Sequence, residues 1–255
     1  MSIEKRKKKE YKNGEIYDGY WEKILKEGKG IIKYNNGDEY EGDWKNNLKE
    51  VKGIMKYNNG NIYDGNWKNN LKEEYGIMKY NNGDIYDGYW EQNLKEGKGI
   101  MKYLNGDKYK GNWKNNLKEG KGIMKYKNGD IYDGNWINNL KEGKGILITS
   151  EGKYECEWEK NEINGFGKVC YNNNYIFEGN FKNGKKEGKG ILINEKGEKL
   201  EINFKNNIIE GNGILNYNDG RIINGIFDKN YFPIEGKLTF KNGEIYEGKL
   251  NKDDD

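Results

Sequence analysis

The stretch Tyr109–Ile131, YKGNWKNNLKEGKGIMKYKNGDI, decides the fold of this 255-residue chain. Its first five residues alternate aromatic, polar, glycine, polar, aromatic, the period-2 signature of a β-strand. GKGIMKY, from Gly120 to Tyr126, forms a second extended run. The polar residues Lys114–Glu119 between them are expected to form a six-residue loop. The same pattern begins at Tyr17, Tyr40, Tyr63, Tyr86, Tyr109 and Tyr132, 23 residues apart, and continues at Tyr154, Phe177, Leu200, Ile223 and Tyr246. A fixed period of this length marks a stacked repeat architecture, in which each unit buries its apolar face against its neighbours.

Directly paired strand residues share a face, so parity predicts the register. With Trp113 opposite Gly120, Gly111 faces Gly122 and Tyr109 faces Met124. One face then collects the aromatics, glycines and Met124, while the other carries Lys110, Asn112, Lys121, Ile123 and Lys125. Strand glycines often mark close approach by a bulky group. Here they leave slots in which aromatic rings can lie flat on a single sheet. Between units, a three-residue loop such as Lys127-Asn128-Gly129, with glycine left-handed, keeps the faces aligned. The unit shortened at Thr149–Gly152 loses one turn residue and preserves parity.

Composition narrows the function. The formal net charge is +3, which gives no global drive toward nucleic acid, and none is expected as a partner. The chain has no histidine, which excludes imidazole catalysis and His-containing metal sites. No phosphate-binding loop, EF-hand or nucleophilic serine motif is present, and Ser2 and Ser150 are the only serines. No catalytic residue, metal ligand or cofactor is expected. Cys156 and Cys170 are too few for a disulfide framework, suit a reducing compartment and fall on opposite faces. No secretory signal or membrane-spanning run is read, so a cytoplasmic location is expected. The abundant Asn-Asn pairs fit an AT-rich coding bias and are expected to carry little chemistry of their own.

These residues resemble the MORN (membrane occupation and recognition nexus) repeat, carried for example by Tyr86-Asp-Gly88-Tyr-Trp90 with Gly97, Gly99 and Gly106. The family glycine three residues after Trp is usually Asn here (Asn70, Asn93, Asn116) and returns as Gly184; Asn also tolerates the left-handed conformation. The resemblance implies an all-β fold, an elongated single-layer twisted antiparallel ribbon of about ten 23-residue hairpins. It also implies a scaffold in cytoskeletal, ciliary or membrane-associated assemblies. The expected organisation is a basic segment and the start of the first hairpin over 1–16, the repeat array over 17–245 (regular over 17–153, divergent over 154–245) and a terminal strand with an acidic tail over 246–255.

The leading expectation is a non-enzymatic adaptor that binds a protein partner, a peptide or helix, along an aromatic groove. Tyr40, Trp44, Tyr63, Trp67, Tyr86, Trp90, Tyr109, Trp113, Tyr132 and Trp136 would line it, with Met78, Met101 and Met124 as an adaptable stripe. Replacing Trp90 and Trp113 together by Tyr is expected to weaken capture and leave the fold mostly intact. The alternative is a peripheral protein binding anionic lipid through Lys5, Arg6, Lys7, Lys8 and Lys9, a flexible basic tail, and through lysine columns such as Lys33, Lys56 and Lys79. A third reading is a regulatory subunit of a separate enzyme. Asp64, Asp87 and Asp133 are read as cross-strand partners of lysines. The divergent C-terminal repeats are either a cap or a homodimer surface.

Overall fold

A computed structural model describes residues 5–250. Its secondary structure is entirely β, with 22 strands from Lys7–Glu10 to Ile245–Lys249. The all-β hairpin-repeat class expected from the period is therefore what the chain forms. Ser2 and the acidic Asp253–Asp255 lie outside the described residues. The chain divides into two compact units, one running to Lys127 and including Ile137–Asn139, the other made of Asn128–Trp136 and the chain from Leu140 onward.

In the first unit each strand pairs antiparallel with the next in sequence. Gly111 faces Gly122 and Tyr109 faces Met124, as parity requires. The loop after Trp113 differs from expectation. The second strand begins at Leu117 rather than Gly120, and the connection is the two-residue turn Asn115-Asn116, with φ of 49° and 69°. Two consecutive left-handed residues make the type I′ turn whose twist matches the strands it joins. Gly120 and Lys121 form a bulge, so that Trp113 faces Lys118 instead of Gly120. Trp113 meets its glycine across the other hairpin, where it pairs with Gly97 of the preceding repeat.

The loop between repeats has the expected geometry. Gly106 adopts φ 97°, its N–H donates to Tyr103 O at 3.0 Å, and Tyr103 N–H donates to Asp107 O at 2.9 Å. In the shortened unit Thr149 N–H donates to Gly152 O at 3.0 Å, closing a connection with one residue fewer.

The core of the first unit is a ladder of rings. The tyrosines opening its repeats are fully buried and its tryptophans are 2–4% exposed. Each Tyr ring lies over the two glycines of its own hairpin: a Cβ on Gly88 would stand 2.7 Å from Tyr86 Oη and 2.6 Å from Gly99 Cα. Tyr40 makes edge-to-face contacts with Trp44 at 5.2 Å and with Trp67 of the next repeat at 5.4 Å, and the alternation repeats at Tyr63 with Trp67 and Trp90. Such pairs contribute about 0.5–1.5 kcal/mol beyond area burial. Buried polar tips are satisfied as well. Trp67 Nε1 donates to Gly53 O at 3.0 Å, and Tyr63 Oη donates to Asn66 O at 3.0 Å.

The asparagines have structural work that the compositional reading did not assign them. Asn70, at φ 67°, donates its N–H to Lys49 O at 3.2 Å and accepts the Lys49 N–H on Oδ1 at 2.8 Å. Asn93 and Asn116 do the same to Lys72 and Lys95. Gly184 keeps the left-handed backbone at φ 73° and the backbone bond to Ile163 O, and has no side chain to supply the second bond.

In the second unit Tyr132 and Phe177 keep their rings over paired glycines, while two other glycine slots are filled by side chains. Cys156 takes a glycine position, and Tyr154 is only half-buried, packed on Tyr171 instead of lying over the sheet. Ile202 fills the same slot two repeats later, with Leu200 in place of Tyr. The core here is aliphatic and phenylalanine-rich, including Phe177, Phe204, Leu192, Ile223 and Leu238. Cys156 and Cys170 are free, and burial pushes the Cys156 thiol up to about 12. The last strand, Ile245–Lys249, pairs with Pro233–Thr239.

Candidate functional site: the aromatic–lysine face

The residues expected to line an open groove are all 7% exposed or less, including Met78, Met101 and Met124. They are the packed interior of the layer, because each Trp ring is covered by the Tyr ring and by a lysine of the preceding repeat, such as Tyr40 and Lys49 over Trp67. Trp90 and Trp113 accordingly donate Nε1–H to Gly76 O at 3.1 Å and to Gly99 O at 3.4 Å. Replacing both with Tyr would remove these bonds and the indole partners of both edge-to-face contacts made by Tyr86, so it tests stability as much as binding.

The covering lysines form a column as regular as the tyrosines. Lys49 Nζ lies 5.3 Å from the Tyr34 ring, 5.1 Å from Tyr40 and 4.8 Å from Trp67. Lys26, Lys72 and Lys95 repeat this three-ring arrangement, with Nζ 4.7, 4.7 and 4.9 Å from Trp44, Trp90 and Trp113. Cation–π attraction contributes about 0.5–2 kcal/mol per site as solvent is removed. Burial pushes Lys49, Lys72 and Lys95 down to about 8. Neighbouring lysines of the column oppose their charge further. The sequence signal was available: Asn-Asn is a two-residue turn, and a strand starting at Leu117 puts Lys118 on the parity of Trp113. In the second unit Lys141 and Lys186 keep the position, while Ile163 and Ile209 interrupt it.

The side of the face that remains reachable is carried by these half-buried lysines and by Tyr34, Tyr57, Tyr80 and Tyr103, one per repeat. Burial raises Tyr57, Tyr80 and Tyr103 to about 12.

The N-terminal basic cluster is partly recruited to the same layer. Lys7–Glu10 is a strand paired with Ile16–Glu22, and Lys7 and Lys9 place Nζ 5.8 and 5.3 Å from the Trp21 ring. Lys7 O also accepts the Trp21 Nε1–H, and Arg6 pairs with Asp18 at 2.9 Å. The segment 7–10 is thus a strand capping the first repeat, although residues 5–10, Lys7 and Lys9 included, all remain exposed.

On the opposite face, Asp64 and Asp87 stand between isoleucines (Ile54 and Ile77, Ile77 and Ile100), not opposite lysines as expected. Charge pairing runs through other positions, such as Lys29–Asp43 at 2.9 Å and Glu39 with Lys33 and Lys56. These pairs offset part of the lysine columns proposed for lipid.

Single-layer hairpins with rings seated on paired glycines define a β-repeat protein without a second sheet. The MORN repeat model matches nine segments, from 17–39 through 203–220. The chain belongs to the MORN repeat family. Hairpin pairing continues past the last match, with Ile222–Phe227 paired to Pro233–Thr239. Among solved structures, the TCP10 domain of Danio rerio CPAP in complex with a peptide of Danio rerio STIL is similar over 97% of this chain and 100% of its own, at 9% identity and a TM-score of 0.50. A second structure of the wild-type TCP10 domain of Danio rerio CPAP matches over 96% of this chain and 100% of its own at 9% identity, with a TM-score of 0.29. No curated protein matches the chain.

Proposed function

We propose that this chain is a non-enzymatic scaffold whose protein partner lies along the aromatic–lysine face, in a cytoskeletal or axonemal assembly of the cytoplasm. The observation that carries the reading is the repetition, from Lys26 to Lys95, of one half-buried ammonium over three rings, one of which is a half-buried tyrosine (Tyr11, Tyr34, Tyr57 and Tyr80 in turn). A surface that presents the same chemistry in successive repeats suits a ligand that runs along the array. The similar CPAP domain was solved with a bound peptide, the ligand type this reading expects; at 9% identity the similarity itself bears on the fold.

The lipid alternative is weaker, because Lys7 and Lys9 turn onto Trp21 and Arg6 is paired with Asp18. A homodimer through Ile245–Lys249 remains a separate proposal, tested by the oligomeric state in solution.

The test is site-specific photo-crosslinking in the cell of origin, followed by non-ionic detergent extraction. A crosslinking residue at Tyr57 or Tyr80 should trap a discrete partner in the insoluble fraction, and one at Ile54 or Ile77 should not. Crosslinks confined to Ile54 and Ile77 would move the site to the other face and sink the proposal.

A further inference from the structure

Lys26, Lys49, Lys72 and Lys95 of the first unit sit over rings rather than against carboxylates. Among the described residues, no carboxylate forms an ion pair with Lys26, Lys49, Lys72 or Lys95. The nearby acids Glu15, Asp38 and Asp84 act on Lys26, Lys49 and Lys95 only at longer range, and Lys72 has lysine neighbours on both sides. A half-buried ammonium spends hydration to sit on rings, which replace only part of what water gave. An anion arriving over the column would meet donors already oriented and partly desolvated, at little ordering cost.

The spacing identifies the shape of that anion. Successive lysines are separated by two strands, so the column has a pitch of about 9.6 Å. A polyproline II helix rises ~3.1 Å per residue with three residues per turn, so equivalent positions on one side recur every ~9.3 Å. An extended strand covers a similar length in three residues but turns the third to the opposite side. An α-helix matches only after seven residues, at ~10.5 Å, and drifts by nearly 1 Å per repeat. Polyproline II segments also dock on ring-lined grooves, and Tyr57, Tyr80 and Tyr103 supply ring faces beside the lysines.

We propose that the aromatic face of the first unit takes an acidic polyproline II segment, with a carboxylate at every third residue reaching Lys26, Lys49, Lys72 and Lys95 in turn. This rests on the reading that a protein partner uses this face, and it specifies the chemistry of that partner.

The probe is fluorescein-labelled (Glu-Pro-Pro)5, titrated with the full chain by fluorescence anisotropy at low and at physiological salt. The comparison peptide carries the same five glutamates in one block followed by ten prolines. The periodic peptide should bind about tenfold more tightly than the block peptide and should weaken as salt rises. The combined variant Lys49→Gln, Lys72→Gln, Lys95→Gln, checked for an unchanged far-UV spectrum, should lose about tenfold. Equal affinity for the two peptides, or no binding of either, overturns the proposal without needing the variant to fold. Phosphatidylserine vesicles form the third arm: vesicle binding that the lysine variant loses, with no peptide binding, reassigns the column to lipid. If Tyr57 and Tyr80 crosslink a partner whose capture survives the lysine substitutions, the scaffold reading stands and the acidic polyproline segment falls.

Discussion

Position 12 of each repeat, the first residue of the bulge, is held left-handed in repeat after repeat. Glycine occupies it at Gly28 (φ 60°), Gly97 (φ 63°), Gly120 (φ 63°) and Gly143 (φ 65°), but Val51 (φ 56°) and Glu74 (φ 52°) hold the same conformation. For a non-glycine residue this costs about 1–2 kcal/mol, and a β-branched side chain belongs at the upper end. Val51→Gly removes that strain. Against it stand about 0.4–1 kcal/mol for the looser unfolded chain, and roughly 0.5 kcal/mol of burial, because Val51 is 66% exposed and hides little apolar area. The net expectation is a stabilisation of about 1 kcal/mol. Glu74→Gly should come out near zero, since Glu74 also accepts the Asn66 Nδ2–H at 3.0 Å and loses that bond. The reverse change, Gly97→Val, should destabilise by about 1 kcal/mol. Urea unfolding followed by tryptophan emission is the assay, with Trp67 directly opposite Val51. Because repeat arrays depart from two-state unfolding, amide exchange in Leu48–Lys56 gives the local value. Destabilisation by Val51→Gly together with tolerance of Gly97→Val would refute the strain argument.

Three further outcomes follow from the same geometry. Gly65→Ala, whose Cβ would stand 2.5 Å from both Gly76 Cα and Tyr63 Oη, should cost about 3 kcal/mol, and Tyr63→Leu should recover only the ring's share of it in a double-mutant cycle, the backbone share remaining; no coupling at all between the two changes would count against ring seating. Asn70→Gly should cost about 1 kcal/mol through the lost bond to Lys49 N–H, and Asn70→Ala more, because alanine also strains at φ 67°; equal losses, read by urea midpoints, would leave the backbone contribution unsupported. Tyr57, Tyr80 and Tyr103 stay protonated to about 12 in the folded chain, whereas unfolded tyrosine ionises near 10. Folding then retains protons that the unfolded chain releases, so this stability is complete below pH ~10 and is lost as pH rises toward 12. The contribution of Lys49, Lys72 and Lys95, pushed down to about 8, rises with pH up to the unfolded lysine value near 10.4. The tyrosine loss is therefore read above it, and a urea midpoint flat between about pH 10.5 and 11.5 would contradict it.

The expected all-β repeat fold was legible because it follows from local chemistry repeated many times. Alternation fixes a face, paired glycines leave room for a ring, and Gly106 can turn left-handed where the chain must reverse. The slots beside Tyr109 and the three-residue loops were readable from one repeat alone. The column Lys26–Lys95 is not legible in the same way, because alternation alone starts the second strand at Gly120, whereas the chain starts it at Leu117. Parity read from the wrong end of the bulge left Lys118 in a loop. A bulge depends on how two strands twist against each other, and the letters Glu-Gly-Lys do not display it.

The sequence by itself determined the period, the strand faces and the seating of tyrosine over glycine, since each depends on contacts within one hairpin. Tertiary structure decided that the tryptophans are interior rather than an open strip. Trp67 is covered by Tyr40 and Lys49, which belong to the preceding repeat and reach it only when the repeats stack. It also decided that Lys7 and Lys9 cap Trp21, since a charged run reads as a solvated tail until a neighbouring ring offers its face.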